Sequence, residues 1–165
     1  MRGQDFATVP PLLRAREQGR PGSIKDMASL SDRDLSSIWL FSECTAKERK
    51  TITRALDEVV VEPGRVLVEE GTLGKEFYLI VSGTASVRRK NRKVASLVAG
   101  QHFGELALLD RHPRNATVVS ETQMNLLVLG QREFNGLLET TPSLARKLMS
   151  AMAARLREQD RKSFQ

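Results

Sequence analysis

The stretch FGELALLDRHPRNAT, residues 103–117, carries the pattern that decides both the fold and the chemistry of this chain. Gly104 has no Cβ, so the backbone at this point can approach a ligand closely. Glu105–Leu109 has the composition of one or two helical turns, and the N–H groups that open such a turn can hold an anion. Arg114 adds a planar fork of donors that matches a phosphate. The stretch therefore predicts an anion site.

Glu105 has a different part in this pattern, because its carboxylate would repel a phosphate. A carboxylate accepts hydrogen bonds, and a ribose 2′-hydroxyl is a suitable donor. One carboxylate for a sugar, together with Arg114 and free N–H groups for a phosphate, describes a site for a nucleotide monophosphate. An isolated Glu and an isolated Arg are more often a surface ion pair on a loop, so the interpretation depends on the whole pattern.

Segments with the period of β-strands lie on both sides of this stretch. They are Val59–Val61, Val66–Val68, Phe77–Val81, Ala85–Arg89, Val94–Val98, Ala116–Ser120 and Met124–Leu129. Turn residues separate them, and the polar tip Lys90-Asn91-Arg92 predicts a hairpin. Short strands with glycine turns at this spacing predict a mainly β protein, an antiparallel β jelly roll or barrel.

Helical patterns flank the strands at both ends of the chain. Ser31 can cap a helix that carries Leu35, Ile38 and Trp39, and Thr45-Ala46-Lys47-Glu48 is a capping-box pattern for a second helix. After the strands, Gln131–Glu139 and Pro142–Gln159 are predicted helices, with Thr141 as the cap of the last one. We therefore expect helices before and after the jelly roll.

The composition is that of a globular protein: 40% of the 165 residues are apolar and 28% are charged. The net charge of +6 suits an anionic partner. It does not indicate whether that partner is nucleic acid, a membrane surface or a phosphate ligand. No apolar run approaches the roughly 20 residues that span a membrane. The single cysteine, Cys44, and an N-terminus without a signal-peptide pattern predict a cytoplasmic protein. We expect a flexible segment over residues 1–25, one domain over 26–160 and a short tail over 161–165.

The cassette, as we call residues 103–117, resembles the phosphate-binding cassette of the cyclic-nucleotide-binding domain family. That family includes regulatory subunits of cyclic-AMP-dependent protein kinase, bacterial catabolite activators and cyclic-nucleotide-gated channels. The resemblance covers roughly residues 35–159 and extends to other motifs, which are Leu40-Phe41-Ser42, Glu62-Pro63-Gly64, Glu69-Glu70-Gly71 and Phe77–Gly83. The resemblance implies a jelly roll with helices on either side.

The resemblance also implies a role for each cassette residue. Glu105 matches the acid that takes the ribose 2′-hydroxyl, and Arg114 matches the arginine that pairs with the cyclic phosphate. The candidate ligand contacts are Phe103, Gly104, Glu105, Leu106, Ala107, Arg114, Asn115 and Ala116. Asn115 departs from the family pattern, which has Ala in kinase subunits, Ser in bacterial activators and Thr in many domains that respond to cyclic GMP. Position 115 has no Thr and position 107 has Ala, and both features favour cyclic AMP over cyclic GMP as the ligand. No metal or other cofactor is expected.

The resemblance implies a regulatory sensor that relays ligand binding to an effector protein through movement of its last helix. The stripe Leu144, Leu148, Met152 and Leu156 predicts packing of that helix against the barrel. In activators of the family this helix also pairs two subunits, so a dimer through it is implied. Met152, Leu156 and Phe164 are candidate residues to cover the base, and the hinge is expected near 139–142.

Two alternatives remain open at this point. One is a DNA-associated regulator of the catabolite-activator type, but the few residues after Asp160 leave no room for a helix-turn-helix, which argues against nucleic acid as a partner. The other is a cupin-like metal enzyme, for which His102 and His112 supply too few ligands. With no catalytic set recognisable, we expect no enzyme activity. The basic hairpin tip, residues 88–93, is interpreted as a solvated edge or a contact for an acidic partner.

Overall fold

Two four-stranded antiparallel sheets form the body of the computed structural model, which describes residues 32–163. The strands are β1 (Asp57–Val61), β2 (Val66–Val68), β3 (Glu76–Ser82), β4 (Ala85–Arg89), β5 (Arg92–Leu97), β6 (His102–Phe103), β7 (Thr117–Ser120) and β8 (Met124–Gly130). The strand order is β1-β8-β3-β6 in one sheet and β2-β7-β4-β5 in the other. The predicted jelly roll is confirmed. The predicted flexible segment over residues 1–25, the Ser31 cap and Phe164 lie outside the described residues.

Helices lie before, within and after the strands. They are α1 (Asp32–Ser37), a 3-10 turn (Trp39–Phe41), α2 (Ala46–Ala55), α3 (Glu105–Asp110), α4 (Gln131–Thr140) and α5 (Pro142–Ser163). The first predicted helix ends earlier than expected, because Ile38 is extended with φ −79° and ψ 123° and Trp39 belongs to the 3-10 turn. The last two helices, α4 and α5, are separated by Thr141 alone.

Two of the predicted helix caps have different outcomes. The capping box is present, since Thr45 Oγ1 accepts from the Glu48 N–H and Glu48 Oε1 accepts from the Thr45 N–H, both at 3.1 Å. Thr141 lies at the predicted N-cap position, directly before the first residue of α5, but the expected hydrogen bond from its side chain is not formed. Its Oγ1 is buried without a hydrogen-bond partner among the described residues, and its carbonyl accepts from the N–H groups of Leu144 and Ala145 instead. Thr141 is also the C-cap residue of α4, where its N–H donates to the carbonyl of Leu137.

The predicted hairpin connects β4 to β5. Lys90 and Asn91 at its tip both have a positive φ, 50° and 63°, which is the backbone that a tight two-residue hairpin requires. In β5, Lys93 Nζ lies 2.7 Å from Glu121 Oε1. β5 is an edge strand, and its residues 92–96 are exposed.

The core has two layers, one on each face of β3. Phe77 and Leu79 pack with the helices, while Tyr78 and Ile80 pack between the two sheets. This alternation explains why β3 is an unbroken apolar run, since both of its faces are buried. The sheet that contains β3 therefore lies between the helices and the second sheet.

The last helix packs on this core only through its first half. Leu144 and Leu148 are buried, Met152 is partly buried, and Leu156 is 62% exposed. The predicted packing stripe is thus wrong at Leu156. A 22-residue helix is about 33 Å long, and its second half extends past the core cluster that its first two turns contact.

Candidate functional site

The cassette begins where β6 leaves the sheet. β6 pairs with β3, Phe103 opposite Tyr78, and the two rings stack with centroids 4.8 Å apart. The Phe103 side chain is therefore part of the core between the sheets, which leaves its backbone as the part that can face a ligand. Gly104 follows with φ 94°, and a Cβ there would lie 2.8 Å from the carbonyl oxygen of Glu76. Only glycine fits both the left-handed backbone and this close approach.

Arg114 is buried, 5% exposed, and its guanidinium is anchored by backbone carbonyls. Nη1 donates to the carbonyl of Gly104 at 2.8 Å, and Nη2 donates to the carbonyl of Glu76 at 2.7 Å. The guanidinium lies over Gly74, where a Cβ would overlap it. Nε is also buried and has no hydrogen-bond partner among the described residues. Arg114 is thus held rigidly with donor capacity left over.

The backbone of Arg114 is fixed as well. Its N–H donates to the carbonyl of Thr72 at 2.7 Å, and its carbonyl accepts from the N–H of Gly71 at 2.8 Å. Burial lowers the pKa of the guanidinium from its usual value, and nearby Tyr78 and Glu76 offset only part of that effect. An arginine nevertheless stays charged at every physiological pH. The cassette therefore holds a permanent, immobile positive charge.

Glu105 is the most deeply buried carboxylate of the cassette, with its side chain 1% exposed. Oε1 accepts from Nη1 of Arg155, on α5, at 2.6 Å. Oε2 lies 3.3 Å from Nδ1 of His102, but the two atoms are poorly aligned, and neither has a hydrogen-bond partner among the described residues. We therefore treat the His102 contact as electrostatic rather than as a directional hydrogen bond.

The ionisation of Glu105 follows from these contacts. Burial raises the pKa of the carboxyl, while His102 and Arg155 lower it by more, so that the pKa lies below its ordinary value. Glu105 is therefore ionised at neutral pH, as a hydroxyl acceptor should be. Glu105 pairs with Arg155, whereas Arg114 donates to backbone carbonyls. The alternative interpretation, in which Glu105 and Arg114 form a surface ion pair with each other, is therefore wrong.

The structure places the other candidate contacts as follows. Asn115 is exposed and Ala116 is buried. Leu106 and Ala107 lie in α3, directly after Glu105. α3 has only six residues, so Arg114, rather than a helix dipole, is the main source of positive charge. His102 lies in β6 and contacts Glu105.

Arg155 is the site residue that the sequence analysis missed. It is separated from Glu105 by 50 residues. The available signal was its position one turn after Met152, in the helix that the resemblance places near the ligand. The carbonyl of Glu76 was also missed, and no sequence signal could have found it because every residue has a carbonyl.

A cavity of about 230 Å³ adjoins His102 and Arg155, the two residues that contact Glu105. It is lined by Trp39, Leu97, Gly100, Gln101, His102 and Arg155. Within residues 32–163, no group of three or more His, Cys, Asp or Glu side chains could hold a metal ion. No helix in the same range is long and apolar enough to cross a membrane.

Comparison with known families agrees with this geometry. A family model described as "Cyclic nucleotide-binding domain" matches residues 58–141. The chain is also similar to the cAMP-dependent protein kinase regulatory subunit of Yarrowia lipolytica, with 40% identity over 112 residues, 67% of this chain and 30% of that relative. The chain spans 24–30% of the length of the first curated relatives that it matches.

Two solved structures are similar as well. The regulatory domain of Toxoplasma gondii PKA, co-crystallised with cAMP, has a TM-score of 0.58 and 34% identity, covering 64% of this chain and 42% of that chain. The catabolite activator protein of Thermus thermophilus has a TM-score of 0.70 and 29% identity, covering 75% of this chain and 61% of that chain.

Proposed function

This chain belongs to the cyclic nucleotide-binding domain family, and we propose that it binds cyclic AMP in its cassette and acts as a regulatory module. The observation that carries the proposal is the state of Arg114. Its guanidinium is buried and clamped by the carbonyls of Gly104 and Glu76, with Nε left unpartnered among the described residues. A buried charge with free donors is costly unless an anion completes it, and a cyclic phosphate supplies that anion.

Glu105 supplies the second half of the proposed recognition. Glu105 is ionised and directly follows Gly104 in the chain, and the carbonyl of Gly104 accepts a hydrogen bond from Arg114. A ligand that offers a hydroxyl to Glu105 and a phosphate oxygen to Arg114 must carry both groups close together. A ribose 3′,5′-cyclic phosphate does so, since its free 2′-hydroxyl is adjacent to the phosphate ring.

The choice of cyclic AMP rests on relatives and on Asn115. The curated relatives first matched are named as regulatory subunits of cAMP-dependent protein kinase, and one similar structure holds cAMP. Position 115 has Asn, not the Thr of many domains that respond to cyclic GMP, and its side chain is exposed. We therefore propose cyclic AMP as the ligand and cyclic GMP as the weaker competitor.

A regulatory rather than catalytic output is part of the proposal. We propose that occupancy of the cassette passes to an effector protein through α5, because Arg155 on that helix contacts the cassette directly. The exposed Met149 and Leu156 leave an apolar face on α5 for such a partner or for a second subunit. The likeness to the Thermus activator concerns the fold, which both alternatives share, so it does not favour the DNA-associated alternative.

Calorimetric titration with cyclic AMP, cyclic GMP and 5′-AMP tests the proposal. We expect saturable binding of one molecule per chain, tightest for cyclic AMP and weakest for 5′-AMP, whose phosphate is not held near the 2′-hydroxyl. A chain that binds none of the cyclic nucleotides would contradict the proposal. Tighter binding of cyclic GMP would overturn the assignment of the base and leave the cyclic phosphate assignment intact.

A further inference from the structure

We propose that the hairpin of β4 and β5 is a docking surface for an acidic protein segment that lies in extended form along β5. The surface consists of residues 88–98, and we call it the basic ribbon. It does not include the cassette, where the proposed function places the cyclic nucleotide, so the inference does not depend on the identity of that ligand.

Positive charge is concentrated at the tip of the basic ribbon. Five of the six residues from 88 to 93 are Arg or Lys, and all six are exposed. Two carboxylates lie against them, since Glu121 pairs with Lys93 at 2.7 Å and Glu70 accepts from the backbone N–H of Lys90 at 3.0 Å. Within residues 32–163, the other four cations of the tip form no ion pair. The tip therefore presents a surplus of positive charge that an anionic partner can match.

The arrangement of these cations lowers the stability of the ribbon itself. Arg88 lies opposite Lys93, and Arg89 lies opposite Arg92, so both pairs next to the turn join like charges. Like charges directly opposite each other destabilise an antiparallel pair. Charges on an edge strand prevent sheets from pairing edge to edge, but Arg88 and Arg89 lie on β4, which is an inner strand. Edge protection therefore does not account for them, whereas an anionic partner does.

The strand β5 adds an open edge and apolar contacts to this charge. It pairs with β4 alone, and residues 92–96 are exposed, so an extended segment can be added along its outer edge. Val94, which directly follows the cations, is 54% exposed, and Val98 is 46% exposed. A register shift that skips Val94 interrupts the ladder between β4 and β5, and such a shift blunts an edge. Regular pairing is thus restricted to residues 95–97, and charge holds the segment beside the tip.

Two other anionic partners fit the basic ribbon less well. A membrane surface would meet the polar tip at Lys90 and Asn91 first, with Val94 set back along β5. A nucleic acid would contact the cations through its phosphates and leave the edge of β5 unpaired. An acidic protein segment uses the charge, the exposed valines and the open edge together, so it is the partner that these observations favour.

The test uses the full chain and the short probe acetyl-EVETEVET-amide, in which glutamate alternates with residues that favour strands. Fluorescence anisotropy of the labelled probe should show saturable binding at low ionic strength, and added salt should weaken it. The basic counterpart acetyl-KVKTKVKT-amide should not bind. The acidic probe with alternate backbone nitrogens methylated should bind more weakly, because methylation removes the N–H groups that pair with an edge strand.

The double variant Arg89→Thr/Arg92→Thr removes one like-charged pair and leaves a strand-forming residue at each position. We expect it to bind the acidic probe about 2- to 30-fold more weakly, the range for two exposed charge pairs. Its thermal midpoint should rise by about 1–4 °C, because the repulsion is gone. The matched control Lys47→Gln/Lys50→Gln removes two exposed cations from α2, and its affinity for the probe should equal that of wild type.

Several results would overturn the docking surface. A wild type that does not bind the acidic probe would do so, and an equal loss in the α2 control would reduce the effect to net charge. Unchanged probe binding by Arg89→Thr/Arg92→Thr, with self-association in light scattering, would assign the charges to edge protection. A lower thermal midpoint of that variant would mean that the arginines stabilise the hairpin. Equal binding of the methylated probe would exclude strand addition.

Two further arms identify the class of partner and separate this proposal from the proposed function. Duplex DNA or phosphatidylserine vesicles that bind more tightly than the acidic probe, and lose binding in Arg89→Thr/Arg92→Thr, would assign the basic ribbon to a nucleic acid or a lipid surface instead. Cyclic AMP affinity should be the same in wild type and both variants. A chain that binds cyclic AMP but not the probe loses only the docking surface, and a chain that binds the probe but no cyclic nucleotide loses only the proposed function.

Discussion

Replacement of Arg114 by alanine is the most direct perturbation of this site. Because Arg114 is 5% exposed, a phosphate bound by its guanidinium would be held largely out of water. Removing one partner of a desolvated charge pair costs about 2–5 kcal/mol, which corresponds to a loss of affinity of roughly 30- to several-thousand-fold. We expect Arg114→Ala to lose cyclic AMP binding by that factor in a calorimetric titration.

The same substitution also affects stability, and the two effects have to be separated. Truncation leaves the carbonyls of Gly104 and Glu76 without their donors, at a cost of about 1–3 kcal/mol for each group that stays buried. The thermal midpoint should therefore fall, and binding should be compared at a temperature where both proteins are folded. Arg114→Lys keeps the charge but not the fork, so its loss of affinity should be smaller than that of Arg114→Ala.

Arg111→Ala is the matched control, because it makes the same change at an exposed arginine in the same loop. Its affinity and thermal midpoint should be close to those of the wild type. Near-wild-type affinity in folded Arg114→Ala would refute the reasoning, because a buried guanidinium that can be removed without cost does not hold the phosphate.

The remaining predictions concern Glu105, Asn115 and α5. Glu105→Gln should weaken cyclic AMP binding by about 1–3 kcal/mol in titrations and leave 2′-deoxy cyclic AMP unaffected; an equal loss with both ligands would exclude the ribose role. Folding lowers the pKa of Glu105, so its contribution to stability is present above its unfolded pKa and is lost as pH falls through the folded value. The free energy of unfolding of Glu105→Gln, measured with denaturant, should therefore change less between neutral and acid pH than that of wild type. An equal change in both proteins would contradict the direction of this pKa shift. Asn115→Ala should leave a cyclic AMP preference in place, and a variant that loses discrimination against cyclic GMP would show that Asn115 reads the base. Cyclic AMP should change hydrogen exchange over residues 142–163 and leave β3 and β8 unchanged; a change confined to residues 103–117 would indicate a passive binder.

Features that depend on neighbouring residues were predictable from the sequence. The capping box of Thr45 and Glu48 spans three residues, and the hairpin tip at Lys90 and Asn91 needs two residues that tolerate a positive φ. Strand periodicity predicted the antiparallel jelly roll, although β6 was missed because two residues are too few to show a period. Family recognition from the cassette was likewise correct, since the motif lies within 15 consecutive residues.

Local patterns were misleading where tertiary contacts override them. Thr141 has a residue type that often caps a helix, yet its hydroxyl is buried at the junction of α4 and α5. Leu156 continues an apolar stripe by spacing, but the core that the stripe would cover ends earlier. A periodic pattern indicates which face of a helix is apolar, and it contains no information about how far the surface beneath that face extends.

The sequence by itself determined the class of the fold, the family and the residue types of the site, because those depend on short-range spacing and on side-chain chemistry. Only the tertiary structure decided what each charge contacts. Arg114 is clamped by the carbonyl of Glu76, 38 residues away, and Glu105 is held by Arg155, 50 residues away. Such pairs form where strands and helices from distant parts of the chain meet, and no spacing along the sequence encodes which of those parts come together.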